Sequence, residues 1–214
     1  MTAIITDPSQ LESQIRKFVK WARKAGQYNL VKCSSGNLSH RFDDQHILVS
    51  QSRSWLSELD ENEIVIVKLP EGDVVHGSKP TGELPLHIHT MIENPSIDTV
   101  LHFQSPAATT LACQNEKIED YNVIIEIPIY VGKVATLPFI MPGSSELAKA
   151  VAVASKSAGI IQLSNHGQIA TGKSYKEAFQ RAVFFELACS VIINTRGNYS
   201  LLNDESIKNL SGYR

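Results

Sequence analysis

Short apolar runs alternate along this 214-residue chain with segments that carry helix-start signals. That interleaving confines it to a mixed α/β architecture. Ile47-Leu48-Val49-Ser50 and residues 63–67 and 159–163 have the length and β-branched content of strands. Residues 73–75 form a shorter one, and residues 123–131 and 134–139 read as two further β-rich pieces. Between them, Asp7 caps a helix with Pro8 in its first turn. Leu11, Ile15, Phe18, Val19 and Ala22 share one face of it, and Gly26 can end it. Thr81-Gly82-Glu83 opens a second helix ending near Asn94-Pro95, Ser105-Pro106 a third, and Gly143-Ser144-Ser145-Glu146 a fourth that reaches about Lys156. Ser174 and Glu177 fit a capping box for the longest helix, which runs to about Asn194. No repeat, low-complexity tract or linker interrupts the pattern, so residues 1–214 are expected to form a single domain.

Charge excludes some partners. A net charge of −2 with no basic cluster gives nucleic acid no field to follow, so an anionic substrate must be held by local groups. No apolar run approaches the roughly 20 residues needed to cross a bilayer, and no signal-like apolar core stands at the start. Cys33, Cys113 and Cys189 are widely spaced and lack a CxxC, which reads as reduced, mostly buried thiols of a cytoplasmic protein.

The chemistry concentrates at His102-Phe103-Gln104. In a strand His102 and Gln104 project from one face, while Leu101 and Phe103 face the opposite layer. His166, in Asn165-His166-Gly167 after the 159–163 strand, and Glu83 can join them around one divalent cation. A cation there would polarise a carbonyl while Glu83 moves a proton. Taken singly, each histidine also fits a turn or a satisfied core position, and Glu83 also fits a helix first turn favoured by the dipole. His87 lies four residues after Glu83, on the same helical face, as a supporting partner. For an anion, Asn37, Ser52 and Thr81 offer donors, Gly36 and Gly82 allow close backbone approach, and Arg53 offers a bidentate fork. Small polar residues are also ordinary turn formers.

Four segments in this order, Ser35-Gly36-Asn37-Leu38-Ser39, Lys79-Pro80-Thr81-Gly82-Glu83 with His87, Val100-Leu101-His102 and Asn165-His166-Gly167, resemble the class II aldolase/adducin family over nearly the whole chain. Within it, the fuculose-1-phosphate aldolase group is the most similar. The resemblance implies a three-layer α/β/α sandwich with a central, largely antiparallel sheet, and a homotetramer with active sites at subunit interfaces. It implies a divalent metal, zinc in the usual case, with His102 and His166 as two of three histidine ligands and Glu83 as acid/base. Gln104 stands where the third histidine is usual. It either supplies an amide oxygen to the metal or marks a site partly lost. Asn37, Ser52, Thr81 and Gly82 fall where the aldolases bind substrate phosphate. Ser52-Arg53 replaces a usual Thr-Gly, and Thr81-Gly82 a usual Ser-Ser. Tyr213 matches a tyrosine used near the substrate. The expected activity is cleavage of a phosphorylated ketose such as L-fuculose 1-phosphate into dihydroxyacetone phosphate and an aldehyde such as lactaldehyde. The rivals are a sugar-phosphate lyase, dehydratase or epimerase of the same family, or a metal-free scaffold like the adducin head domain.

Overall fold

Eight strands join into one sheet in the computed structural model, which describes residues 8–210 and Tyr213. They are β1 (Asn37–Arg41), β2 (His46–Ser50), β3 (Ile64–Lys68), β4 (Val74–His76), β5 (Thr99–Phe103), β6 (Val134–Leu137), β7 (Ile160–Leu163) and β8 (Gly167–Gly172). The order across the sheet is β4-β3-β2-β1-β5-β8-β7-β6. Only β6 and β7 pair in parallel; every other neighbour is antiparallel. The helices are α1 (Pro8–Gln27), α2 (Leu84–Glu93), α3 (Pro106–Ala112), α4 (Ser145–Ala154), α5 (Tyr175–Asn194) and α6 (Asp204–Leu210).

Alternation along the strands sorts their side chains into two layers. Ile47 and Val49 of β2, Val65 and Val67 of β3, and Val100 of β5 pack with Leu86 and Met91 of α2 and Leu147 and Val151 of α4. Leu48, Ile64, Ile66, Leu101 and Phe103 face the other way, onto Phe18 of α1, Ala108 of α3 and Phe179 and Phe185 of α5. Helices therefore cover both faces of a largely antiparallel sheet, as expected. His102 follows the Val100 face and points toward the α2 layer.

Several elements differ from the sequence reading. Residues 123–131 are not β: Ile127–Val131 form one wide helical turn closed by Gly132 N donating to Ile127 O. Pro128 has no N–H for a ladder, and burial of Ile127, Ile129 and Val131 overrides their strand propensity. β1 and β8 were not among the strands read from the sequence, because their residues are polar or glycine-flanked, yet all of β8 is buried. α2 begins at Leu84, just after the Thr81-Gly82-Glu83 segment expected to open it, which makes Glu83 its N-cap residue. Asp7, the expected cap of α1, lies outside the described residues. Cys33 and Cys113 are exposed and only Cys189 is buried, correcting the expectation of mostly buried thiols. Cys33 stands in a turn at φ 50° and Cys113 caps the end of α3, so neither has a layer to enter.

His40 shows how burial couples this fold to pH. Its Nδ1 is 2.9 Å from Thr99 Oγ1, and its ring stacks on Tyr175 at 3.9 Å between centroids. Burial, assisted by Lys17 and Arg41, lowers its pKa from 6.5 to about 4. The folded protein thus holds it neutral where the unfolded chain protonates it, so stability falls as pH drops from 6.5 toward 4. A shift of that size corresponds to at most roughly 3 kcal/mol. In denaturant titrations, His40→Gln should flatten the fall in unfolding free energy between those pH values; an unchanged slope would dismiss the assignment.

Candidate metal centre

β5, the β7–β8 hairpin and the start of α2 bring together the three groups singled out as ligands or base. Glu83 Oε2 lies 3.4 Å from His102 Nε2, and Glu83 Oε1 lies 3.6 Å from His166 Nε2. The ligand atoms of the three residues all fall within 4.8 Å of one another. His166 stands in the hairpin turn, where Asn165 takes φ 56° and His166 N donates to Leu163 O. Since β8 pairs with β5, the turn delivers one imidazole beside the other, with ring centroids 4.8 Å apart.

The donor set fits a divalent cation. His102 Nδ1 is 3.0 Å from Gln168 O, a carbonyl that can only accept, so Nδ1 carries a proton and Nε2 is the ring atom turned toward the cluster, where it would offer its lone pair to a cation. Glu83 Oε1 is buried and has no hydrogen-bond partner among the described residues, an arrangement that costs free energy unless something else satisfies it. Burial opposes the charge of Glu83, but His102, a hydrogen bond from Asn37, His166 and His87 together hold its carboxyl below the usual carboxylate range. Burial, with His102, lowers the pKa of His166, which keeps it a neutral potential ligand.

Close packing holds this geometry. A Cβ on Gly167 would come within 2.7 Å of Phe103 O and of Gln104 Cγ, and within 3.1 Å of His102 Cε1. A Cβ on Gly36 would come within 2.9 Å of His102 O and 2.5 Å of Val31 Cγ1. Gly36 therefore seats β1 against β5, a packing role that an anion-binding reading had not anticipated. Gln104 follows β5 directly; its backbone N donates to Leu30 O, and its side-chain amide makes no hydrogen bond among the described residues.

The residues expected on phosphate divide. Thr81 N donates to Ser50 O, while Glu83 N and Leu84 N donate to Thr81 Oγ1 and Thr81 O. Gly82 N is left without a partner among the described residues, and a Cβ there would meet nothing within 4 Å. Gly82 is therefore an open backbone donor one residue before Glu83. Ser52 joins this turn through its backbone N, which donates to Lys79 O. Asn37 pairs with His102 across β1 and β5 and donates through Nδ2 to Glu83 Oε2 at 2.9 Å, a contact with the base that the sequence reading had not foreseen. Arg53 is exposed at φ 66°, a backbone geometry natural to the glycine usual in the resembled aldolases. It borders a hollow with Glu58, Asp60 and Glu63, carboxylates that oppose an anion. Tyr213 is 78% exposed, and no hydrogen bond ties it to the cluster among the described residues.

Residues 16–193 match the family described as Class II Aldolase and Adducin N-terminal domain. A 3-oxo-tetronate 4-phosphate decarboxylase of Haemophilus influenzae is 29% identical over 182 residues, 82% of this chain and 85% of that protein. An L-fuculose phosphate aldolase of Methanococcus maripaludis is 31% identical over 169 residues, 79% of this chain and 90% of that protein. The crystal structure of YgbL from Klebsiella pneumoniae, described as a putative aldolase/epimerase/decarboxylase, superposes with a TM-score of 0.86 at 24% identity, covering 93% of this chain and 98% of that one. That likeness shows the fold.

Proposed function

Because the chain belongs to the class II aldolase and adducin N-terminal domain family, we propose that it is a metal-dependent lyase making and breaking a carbon–carbon bond beside the carbonyl of a phosphorylated sugar. The observation that carries this is the largely buried Glu83 carboxylate set between two imidazole Nε2 atoms, with one oxygen lacking a hydrogen bond among the described residues. His102, His166 and Glu83, with the amide oxygen of Gln104, would hold the cation, zinc being our assignment. When bound, it supplies Lewis acidity, drawing electrons from a carbonyl and stabilising charge on its oxygen.

The protein's own groups do the rest. In the condensation direction the ionised Glu83 removes a proton from the carbon next to the carbonyl of dihydroxyacetone phosphate. The resulting carbon nucleophile attacks an aldehyde. In cleavage the C3–C4 bond breaks, its electron pair stays with the three-carbon fragment, and Glu83 returns the proton to C3. The proton at the aldehyde oxygen is assigned to Tyr213. The phosphate is assigned to the turn at Ser52, Thr81 and Gly82, whose Gly82 N–H and open space favour an anion. Arg53 stays a weaker candidate, because acidic neighbours surround it. Assembly as a homotetramer, cytoplasmic location, and independence from nucleic acid and membrane belong to the same proposal. Phe139 and Met141, 55% and 64% exposed, are compatible with a covered face.

A second reading is favoured by the decarboxylase relatives. Loss of carbon dioxide from a 3-oxo-tetronate 4-phosphate also leaves a carbon that Glu83 would protonate, and also yields dihydroxyacetone phosphate. The purified protein should therefore be offered L-fuculose 1-phosphate, 5-deoxyribulose 1-phosphate and 3-oxo-tetronate 4-phosphate. Dihydroxyacetone phosphate with an equivalent aldehyde supports the aldolase. The same product with carbon dioxide and no aldehyde moves the assignment to decarboxylation, and no product from any of them rejects both.

Gln104 gives a second check. An amide oxygen is a harder, weaker donor to zinc than an imidazole nitrogen. Gln104→His should tighten zinc binding by about tenfold or more, read by competition with a chromophoric chelator. Equal affinities would remove Gln104 from the ligand set.

A further inference from the structure

Between β1 and α2 a buried chain of polar groups ends on Glu83, and the reaction scheme above leaves it unexplained. His87, one helical turn beyond Glu83, is fully buried. Its Nδ1 is 2.7 Å from Ser39 Oγ, and its Nε2 is 2.5 Å from Asn37 Oδ1. Asn37 Nδ2 then donates to Glu83 Oε2 at 2.9 Å.

Hydrogen-bond chemistry fixes the direction of the whole chain. An ionised carboxylate only accepts, so the amide nitrogen of Asn37 must face Glu83 and the amide oxygen must face His87. His87 Nε2 must then carry a proton to donate. Burial lowers the pKa of His87 to about 4, so the ring is neutral and Nδ1 is bare. Ser39 must therefore donate its hydroxyl proton to Nδ1. Each link permits only the next.

We infer that His87 is a positioning residue for the proton-transfer chemistry: held in one tautomer by Ser39, it locks the Asn37 amide so that its nitrogen anchors Glu83 Oε2 and leaves Oε1 to exchange the proton. The inference rests on Glu83 being the acid/base. Without His87, only the carboxylate itself opposes the flipped orientation, which would set a carbonyl oxygen against it, and the Asn37 amide loses its second anchor. A merely satisfied buried network would stabilise the fold without distinguishing the two oxygens of Glu83. Here Oε2 is tied by a hydrogen bond, whereas Oε1 has none among the described residues and meets only His166 Nε2, at 3.6 Å.

The test has two independent arms on the intact, metal-loaded protein. Nitrogen-15 NMR of labelled histidine should find His87 neutral with the proton on Nε2; a proton on Nδ1, or a doubly protonated ring at neutral pH, overturns the inference whatever the substrate is. In the second arm, His87→Leu should lower kcat about 10–100-fold with KM within about twofold and metal content unchanged. Asn37→Ala added to that variant should cost little more, because both changes release the same anchor. Multiplying effects, or a folded His87→Leu protein with the parent kcat, overturn the inference. If His87→Leu does not fold, Ser39→Ala, which removes a single oxygen, should still lower kcat about 3–10-fold and mix the His87 tautomers. An unchanged kcat with a single tautomer overturns it. Absence of turnover by the parent protein on every substrate offered strikes the proposed function instead, and the tautomer result still decides this point.

Discussion

Glu83→Gln should give a folded protein whose turnover is reduced about a thousandfold or more. The substitution keeps the shape of the side chain and its ability to accept from Asn37 Nδ2, but an amide cannot take a proton from carbon. The fold has little reason to object. Glu83 is the N-cap residue of α2, yet its side chain makes no capping hydrogen bond, so the helix loses no cap. Its ionised carboxyl sits with only 12% of the side chain exposed, and losing a partly buried charge removes a desolvation cost along with the favourable pairing to the histidines. The melting temperature should therefore move by only a few degrees, and metal content should be measured on the same sample. Residual turnover within tenfold of the parent, on a substrate the parent cleaves, would remove Glu83 from the proton-transfer step.

The same residue shows what the sequence could and could not convey. Glu83, His102 and His166 lie far apart in the chain, and in the sequence only the family pattern of four short segments brings them together. The alternation rule then placed His102 correctly on the face opposite Leu101 and Phe103, because period two follows from backbone geometry alone. The rule had less to offer at β1. Asn37-Leu38-Ser39-His40-Arg41 is too polar to read as a strand, and its pairing with β5 is a long-range contact that local propensity does not encode. Missing β1 concealed the closeness of Asn37 to Glu83, and with it the path from His87. His87 was legible as a neighbour of Glu83 through helical spacing, but not as one acting through an amide from another strand. A buried Ser, His and Asn facing one another were the available signal, and it exists only once β1 is paired. Residues 123–131 failed for a related reason. Val123, Ile124, Ile125, Ile127, Ile129, Tyr130 and Val131 carry strand propensity, and the decision was made by Pro128 and by packing against α5.

Removing the cation should be the other large effect. Dialysis against a chelator should abolish turnover and lower the melting temperature, and both should return on adding a divalent cation. A cation present at about a hundred times its dissociation constant stabilises the folded state by about 2.7 kcal/mol. In a chain of this size that is roughly 5–10 °C in melting temperature. The protein should nevertheless stay folded without the cation, because the cluster lies at one end of a sheet whose two apolar layers are complete without it. His102→Ala and His166→Ala should each remove most of the cation-dependent shift while leaving the cation-free melting temperature close to that of the parent. The comparison separates the enzyme from a scaffold of the same fold, since turnover alone could fail for want of the right sugar. A scaffold would melt at one temperature with or without zinc, manganese or cobalt, and would keep that temperature in both histidine variants. A shift in the parent that both variants abolish would place the cation between His102 and His166, beside the Glu83 carboxylate.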